Sequence, residues 1–315
     1  MLKKPKKINI LERKGVNYAE LDKELKVELS ILGGLDIFTN AHVLGVAKNT
    51  QRICDALDLD YKTTKHCILA AYLHDVGKIR VPTEILQKPG KLTDEEYEIM
   101  KKHTIYGYEI VNKYDQFRYL APVVRGHHEN LDGSGYPDGL KDNQITEEAK
   151  LIKIADVWDA LTQRRQYKEG FPPSKAAEIM LGDVKKGKTG SKYLYYLLIV
   201  IIEELAEKIK GDIKELKKAK EDLISLKDLD SIYKHIYDRG LEKYAHKLKK
   251  YELAPGYDML ANTALLSRTT SKIENLEKII KQNKAEIVKL KKQCKEARRL
   301  IKLRERGTYL FGKRV

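Results

Sequence analysis

The sequence predicts an all-α protein, and three observations carry that prediction. Apolar residues recur mainly at spacings of three and four, no stretch alternates convincingly between apolar and polar, and a heptad pattern runs toward the C-terminus. Taken in order, the apolar segment CILAAYLHDVGK ends in His74-Asp75. Thr93 and Glu96 form a capping box in LTDEEYEIM, so a helix starts there. On that helix Met100, His103, Gly107 and Ile110 share one face, which turns His103 inward. RYLAPVVRGHHE reads as a helix with Leu120, Val123, Val124 and His127 on its buried side. The loop DGSGYPDGL stops it, because its glycines and proline forbid continuation. Thr146 caps the next helix, EEAKLIKIADVWDALT, which sets Asp156 and Asp159 inside an otherwise apolar run. Leu205, Ile209, Ile213, Leu216 and Leu223 mark a later helical stretch that leads toward a break at APGYD, 254–258. From Ile273 the a and d positions are filled by Ile273, Leu276, Ile280, Asn283, Ile287, Leu290, Cys294, Ala297 and Ile301. A hairpin of two long helices is the simple reading, and coiled-coil pairing between two chains, giving a homodimer, is the alternative.

Composition narrows the class. Of 315 residues 42% are hydrophobic, enough for a sizeable core and too many for a disordered chain. The formal net charge is +15, with +1 on residues 1–180 and +14 on residues 181–315, so a nearly neutral front part precedes a strongly basic back part. Cys54, Cys67 and Cys294 lie far apart with no CxxC pair, which excludes a disulfide scaffold and a zinc ribbon and points to a reducing compartment. The apolar run from Tyr193 to Ile202 is too short to cross ~30 Å of hydrocarbon. The basic start MLKKPKKINILERKG has no apolar region after it, so the expectation is no signal peptide, no membrane span and a cytoplasmic location.

The chemistry gathers around His74-Asp75. An adjacent histidine and carboxylate buried together are costly unless a charge is paired with them. His42, His103, His127-His128 and Asp156 also lie on inward-facing or apolar-flanked stretches. These histidines and aspartates offer mixed nitrogen and oxygen donors, which suit two first-row metals bridged by one carboxylate. Independent core histidines are the competing reading. Lys78 follows Asp75 by one helical turn, within reach of a metal-held phosphate or a departing oxygen.

Five ordered motifs extend the pattern: His42 in DIFTNAH, HDVGK at 74–78, His103 in KKHTIYGYEI, HHENLDGSGYPDGL at 127–140, and ADVWDALTQRRQYK at 155–168. With Gly135-Tyr136-Pro137, they resemble the HD-GYP family of the HD phosphohydrolase superfamily, from about Leu32 to Lys168 and more weakly to Leu205. The resemblance implies an HD-type helical catalytic domain with a centre of two or three metals. It also implies hydrolysis of cyclic di-GMP to the linear dinucleotide, sometimes on to GMP. The implied metal ligands are His42, His74, Asp75, His103, His127, His128 and Asp156, with Asp75 bridging. Asp159, Arg165 and Lys168 match the family's substrate-side positions. The loop carrying Gly135, Tyr136 and Pro137 either lets backbone approach a nucleotide or closes against the metals. Two metals would lower the pKa of a bridging water and hold a hydroxide for in-line attack. Iron or manganese fits the donor set best.

Two positions depart from the family. Trinuclear members carry a glutamate four residues before the first histidine, where this chain has Phe38, so two metals are expected. An arginine is common three residues after that histidine, where Gly45 stands here. The expected organisation is an N-terminal extension over 1–30, the catalytic domain over 31–205 and a basic helical region over 206–315. A chain ending near Leu205 is then expected to keep its activity. The basic helices are either a solvated coiled-coil face or a footprint for nucleic acid, with a cyclic dinucleotide the favoured substrate. The competing functions are a phosphohydrolase of another cyclic dinucleotide, a nucleotide or RNA ends, and a scaffold built on an inactive HD fold.

Overall fold

A computed structural model describes residues 37–163, 169–239, 259–305, 309–310 and 313–314. Among the described residues the regular structure is helical apart from a two-stranded ribbon, β1 Tyr309–Leu310 with β2 Lys313–Arg314. The helices are α1 Ile37–Ala56, α2 Tyr61–Leu73, α3 Thr83–Leu86, α4 Asp94–Lys101, α5 His103–Asn112, α6 Ala121–Gly126, α7 Glu147–Thr162, α8 Pro173–Lys185, α9 Ser191–Arg239 and α10 Met259–Glu305.

Local chemistry sets their starts. Asp60 Oδ1 accepts from the Thr63 amide at 3.0 Å and caps α2. Thr93 and Glu96 make the expected capping box on α4. Thr146 Oγ1 accepts from the Ala149 amide at 3.2 Å and caps α7. The helix expected through Met100 and His103 is two helices, because the helical ladder breaks at Lys102, whose amide donates to the Ile99 carbonyl at 3.1 Å. The RYLAPVVRGHHE helix is also shorter than expected. A 3₁₀ turn over Arg118–Leu120 leads into α6, and the two histidines follow its last turn.

The chain divides into two compact units, one of Met1–Ile202 with Lys289–Val315, the other Glu203–Val288. In the first, α1 packs on α2 and α7, and α5 packs on α6 and on a 3₁₀ turn over Val76–Arg80. Its core includes Ile53, Leu69, Leu73, Ile110, Leu120, Leu151, Ile152, Ile154, Met180 and Leu194, all below 2% exposed. The division differs from a boundary near Leu205, because the end of α10 belongs to the first unit. Leu290, Ala297, Leu300 and Ile301 are buried there, and Gln293 Nε2 donates to the Ser174 carbonyl at 2.6 Å. In the second unit Ile209, Ala219, Ile273, Leu276 and Ile280 are buried. Lys220–Glu277 at 2.7 Å and Lys272–Glu215 at 2.8 Å join α9 to α10 there. The expected break at 254–258 lies outside the described residues. No described helix is long and apolar enough to cross a membrane.

Candidate metal centre

Five segments bring the donors together. His42 lies in α1, His74 closes α2, and Asp75 opens the 3₁₀ turn with φ −102° and ψ 3°, the sparsely populated bridge region often used at functional sites. The turn presses so closely on α5 that a Cβ on Gly77 would lie 2.0 Å from the His103 carbonyl oxygen. Only glycine lets the helix that starts at His103 meet Asp75 so closely. His127 and His128 follow α6, and Asp156 comes from α7.

The donor atoms fall into two sets. Asp75, His103, His127 and His128 form one, and His42, His74 and Asp156 the other, with the ligand atoms of each set within 4.8 Å of one another. Asp75 faces both: Oδ1 is 3.4 Å from His103 Nε2, and Oδ2 is 3.3 Å from His74 Nε2 and 3.9 Å from His42 Nε2. Asp156 spans them too, with Oδ1 at 3.0 Å from His42 Nε2 and Oδ2 at 3.9 Å from His128 Nδ1.

The imidazoles are fixed from behind. The Nδ1 atoms of His74, His103 and His127 lie 2.7, 2.8 and 2.7 Å from the carbonyls of Ala71, Met100 and Val124. A carbonyl can only accept, so each Nδ1 carries the hydrogen and each Nε2 presents its lone pair to the centre. His42 is held differently, its Nδ1 lying 2.7 Å from Asp159 Oδ2. Asp159, expected beside the substrate, is buried behind His42, 3% exposed, and also takes a hydrogen bond from Gln163 Nε2 at 3.0 Å. Gly45 opens that space, because a Cβ there would lie 1.9 Å from Asp159 Oδ1 and 2.4 Å from Gln163 Nε2.

Charge and burial agree with this layout. Burial works against the charge of Asp75, but His74, Lys78 and His103 outweigh it and hold the carboxyl well below its usual range. Asp156 is likewise lowered, burial being overcome by its bond to His42 and by His42, His128 and His74. Burial lowers His103 to about 4 and His128 to about 3, so both are neutral donors at neutral pH. Burial also opposes the charge of His42, yet bonds to Asp156 and Asp159 raise it to about 9. Lys78 Nζ lies 2.6 Å from Asp75 Oδ2.

One buried atom bears on a metal. His74 Nε2 is buried and has no hydrogen-bond partner, though it points at the Asp75 carboxylate. A buried lone pair left open beside ionised carboxylates is what a cation would occupy. The residues therefore fit a metal ion.

The 132–139 loop closes over this centre. Gly135 passes so near that a Cβ would lie 2.2 Å from the Asn130 amide nitrogen. Glu129, 1% exposed, accepts from the amides of Asp138 at 2.7 Å and Leu140 at 3.0 Å. Arg125 grips Asp138 with two bonds of 2.6 and 2.7 Å. The loop thereby sets the Tyr136 ring 4.8 Å from that of His128. Burial, then the charges of Tyr97 and Asp156, raise the Tyr136 hydroxyl far above its ordinary value. Two further residues support the site without any motif to mark them: Glu129, and Lys153, whose Nζ donates to the His128 carbonyl at 3.2 Å. The available signals were a carboxylate directly after the histidine pair and a lone lysine in the apolar run of α7. Arg165 and Lys168 lie outside the described residues.

Comparison with known proteins agrees with the geometry. A cyclic di-GMP phosphodiesterase response regulator, RpfG, of Xanthomonas campestris is 41% identical over 144 residues, 44% of this chain and 36% of that protein. A cyclic di-GMP phosphodiesterase of Thermotoga maritima is 37% identical over 178 residues, 54% of this chain and 48% of that protein. A 3′3′-cGAMP-specific phosphodiesterase 2 of Vibrio cholerae is 37% identical over 163 residues, 51% of this chain and 31% of that protein. The chain thus spans less than half the length of these relatives. A family model described as an HD domain matches residues 18–190, and the chain belongs to the HD-domain family, with the HD-GYP signature set in its candidate metal centre.

Proposed function

We propose that the chain is a metal-dependent phosphodiesterase that hydrolyses cyclic di-GMP, opening it to the linear dinucleotide. The observation that carries this reading is the Asp75 carboxylate facing two sets of donors at once. Two divalent cations, iron or manganese, would be held by Asp75 with His103, His127 and His128 and by His42, His74 and Asp156. When bound, such a pair supplies a nucleophile at neutral pH and Lewis-acid neutralisation of the charge that develops on a phosphodiester.

The chain's own residues do the rest. Carbonyl-held imidazoles keep the donors in one orientation, so little reorganisation accompanies binding or reaction. Lys78 Nζ keeps one hydrogen on Asp75 Oδ2, and its side chain is 21% exposed, so its other hydrogens can meet a phosphodiester oxygen or the departing one. Arg165 and Lys168 are assigned to the second phosphate, where a guanidinium can bind two oxygens together. Tyr136 and the loop around it cover one side of the centre, the Tyr136 ring lying against that of His128.

A second reading, a 3′3′-cGAMP phosphodiesterase, is favoured by the name of the Vibrio cholerae relative. The test incubates the metal-loaded full chain with cyclic di-GMP, 3′3′-cGAMP, linear dinucleotides and short RNAs and identifies products by chromatography. Linear diguanylate from cyclic di-GMP is the expected product. Cleavage of RNA with both cyclic dinucleotides left intact would overturn the proposal.

A further inference from the structure

The geometry points to Tyr97, with Lys101 beside it, as the surface on which one nucleobase of the cyclic dinucleotide stacks. This deepens the substrate reading above and rests on it. A single exposed aromatic is ordinary, and Tyr97 is 47% exposed on α4. Its place is what distinguishes it. The Tyr97 ring lies 6.3 Å from the Tyr136 ring, edge to face at 82°. Tyr136 in turn lies 4.8 Å from the ring of His128. Two ring-to-ring steps therefore join the donor cluster to an open aromatic face. A base linked through its ribose to a phosphate at the cluster extends away from it in the same way.

Lys101 is one helical turn after Tyr97 and on the same side of α4. Its Nζ sits 5.4 Å from the Tyr97 centroid and 5.7 Å from the Tyr136 centroid, beside both rings. Its pairing with Glu98 at 2.5 Å leaves it two further hydrogens. A purine laid on Tyr97 would meet a π-face together with a cation able to donate to a ring nitrogen or a carbonyl oxygen. The platform is tied to the chemistry through its own helix, because the Met100 carbonyl receives the His103 Nδ1 hydrogen. A base resting on α4 is therefore in fixed register with a phosphate at His103.

The test compares two substrates on the full, metal-loaded chain: cyclic di-GMP, and methyl p-nitrophenyl phosphate, a phosphodiester with no nucleobase. Loss of one stacking face raises KM for cyclic di-GMP by roughly five- to one-hundred-fold in Tyr97→Ala. The expected kcat for cyclic di-GMP, metal content and turnover of the simple diester stay within about twofold of wild type. Tyr97→Trp, which keeps a π-face, restores KM to within about threefold. An unchanged KM for cyclic di-GMP in Tyr97→Ala overturns the inference while the proposed activity stands. An equal loss on both substrates does the same, since it marks a structural role. A wild-type chain that turns over the simple diester but no purine cyclic dinucleotide overturns both.

Discussion

Asp159 shows how much of a site a single residue's neighbours decide. It lies three positions after Asp156 on α7, so both carboxylates reach α1, but they take opposite nitrogens of His42. Asp156 meets Nε2, and Asp159 holds Nδ1 from behind, through space that Gly45 leaves open. The departure at Gly45 and the burial of Asp159 are thus one feature. Asp159→Ala should weaken metal affinity about 10- to 100-fold, the usual cost of losing a group that orients a ligand. Gly45→Ala should do nearly the same by displacing the carboxylate. The double variant should be no worse than either single one, because both remove the same support. Calorimetric metal titration checks this, and additive losses would show that the two act separately. Lys78→Ala makes a contrasting case: metal content should hold while kcat falls, and unchanged turnover would remove Lys78 from the chemistry.

The histidines were legible one by one because metal-ligand chemistry demands their type. Which nitrogen each presents was not, because the carbonyls of Ala71, Met100 and Val124 that decide it carry no sequence signal. The same holds for Glu129, whose role comes from two backbone amides rather than from any side-chain partner.

At the scale of elements, capping residues placed the starts of α4 and α7 where the sequence had put them. Interiors were less legible. Periodicity through Met100 and His103 continues across Lys102, although the ladder breaks there, since Lys102 keeps a helical backbone and the spacing stays intact. The Gly135 loop is legible as a helix stop, but its tightness is visible only in three dimensions. Gly135→Ala places a Cβ 2.2 Å from the Asn130 amide nitrogen and 2.4 Å from the Glu129 Cα, and backbone cannot give way as a side chain can. Overpacking of this kind should cost about 1–3 kcal/mol. Glu129→Gln keeps the shape but turns one acceptor toward an amide as a donor, and should cost about 1–3 kcal/mol through an unpaired buried N–H. Urea unfolding of the full chain measures both. Unchanged midpoints would mean that the loop is not fixed by these contacts.

Across the whole molecule, the heptad pattern was legible as a buried stripe, but the surfaces it meets were not. Ile273, Leu276 and Ile280 are buried within the second unit, whereas Leu290, Ala297 and Ile301 are buried within the first. One uninterrupted repeat serves two cores, because apolar spacing reports a face and not its partner. A cut near Leu205 would therefore remove part of the unit that carries the donors. It would delete Leu290 and Ala297, both 0% exposed, and the bond from Gln293 to the Ser174 carbonyl. It would also delete the ion pair of Lys185 with Glu296 at 3.6 Å and that of Arg304 with Asp142. The ion pairs are exposed and contribute little, so the loss is mainly apolar. Burial of a large aliphatic side chain contributes about 1.5–3 kcal/mol, and losing several approaches the whole stability of an ordinary domain. The chain ending at Leu205 should therefore be poorly folded and inactive. Replacing Glu203–Val288 with a flexible glycine-serine linker keeps the end of α10, and should preserve the melting temperature of the first unit and its phosphodiesterase turnover. If the chain cut at Leu205 melts as the first unit does in the full chain and turns over substrate equally well, the returning helix is not part of its core.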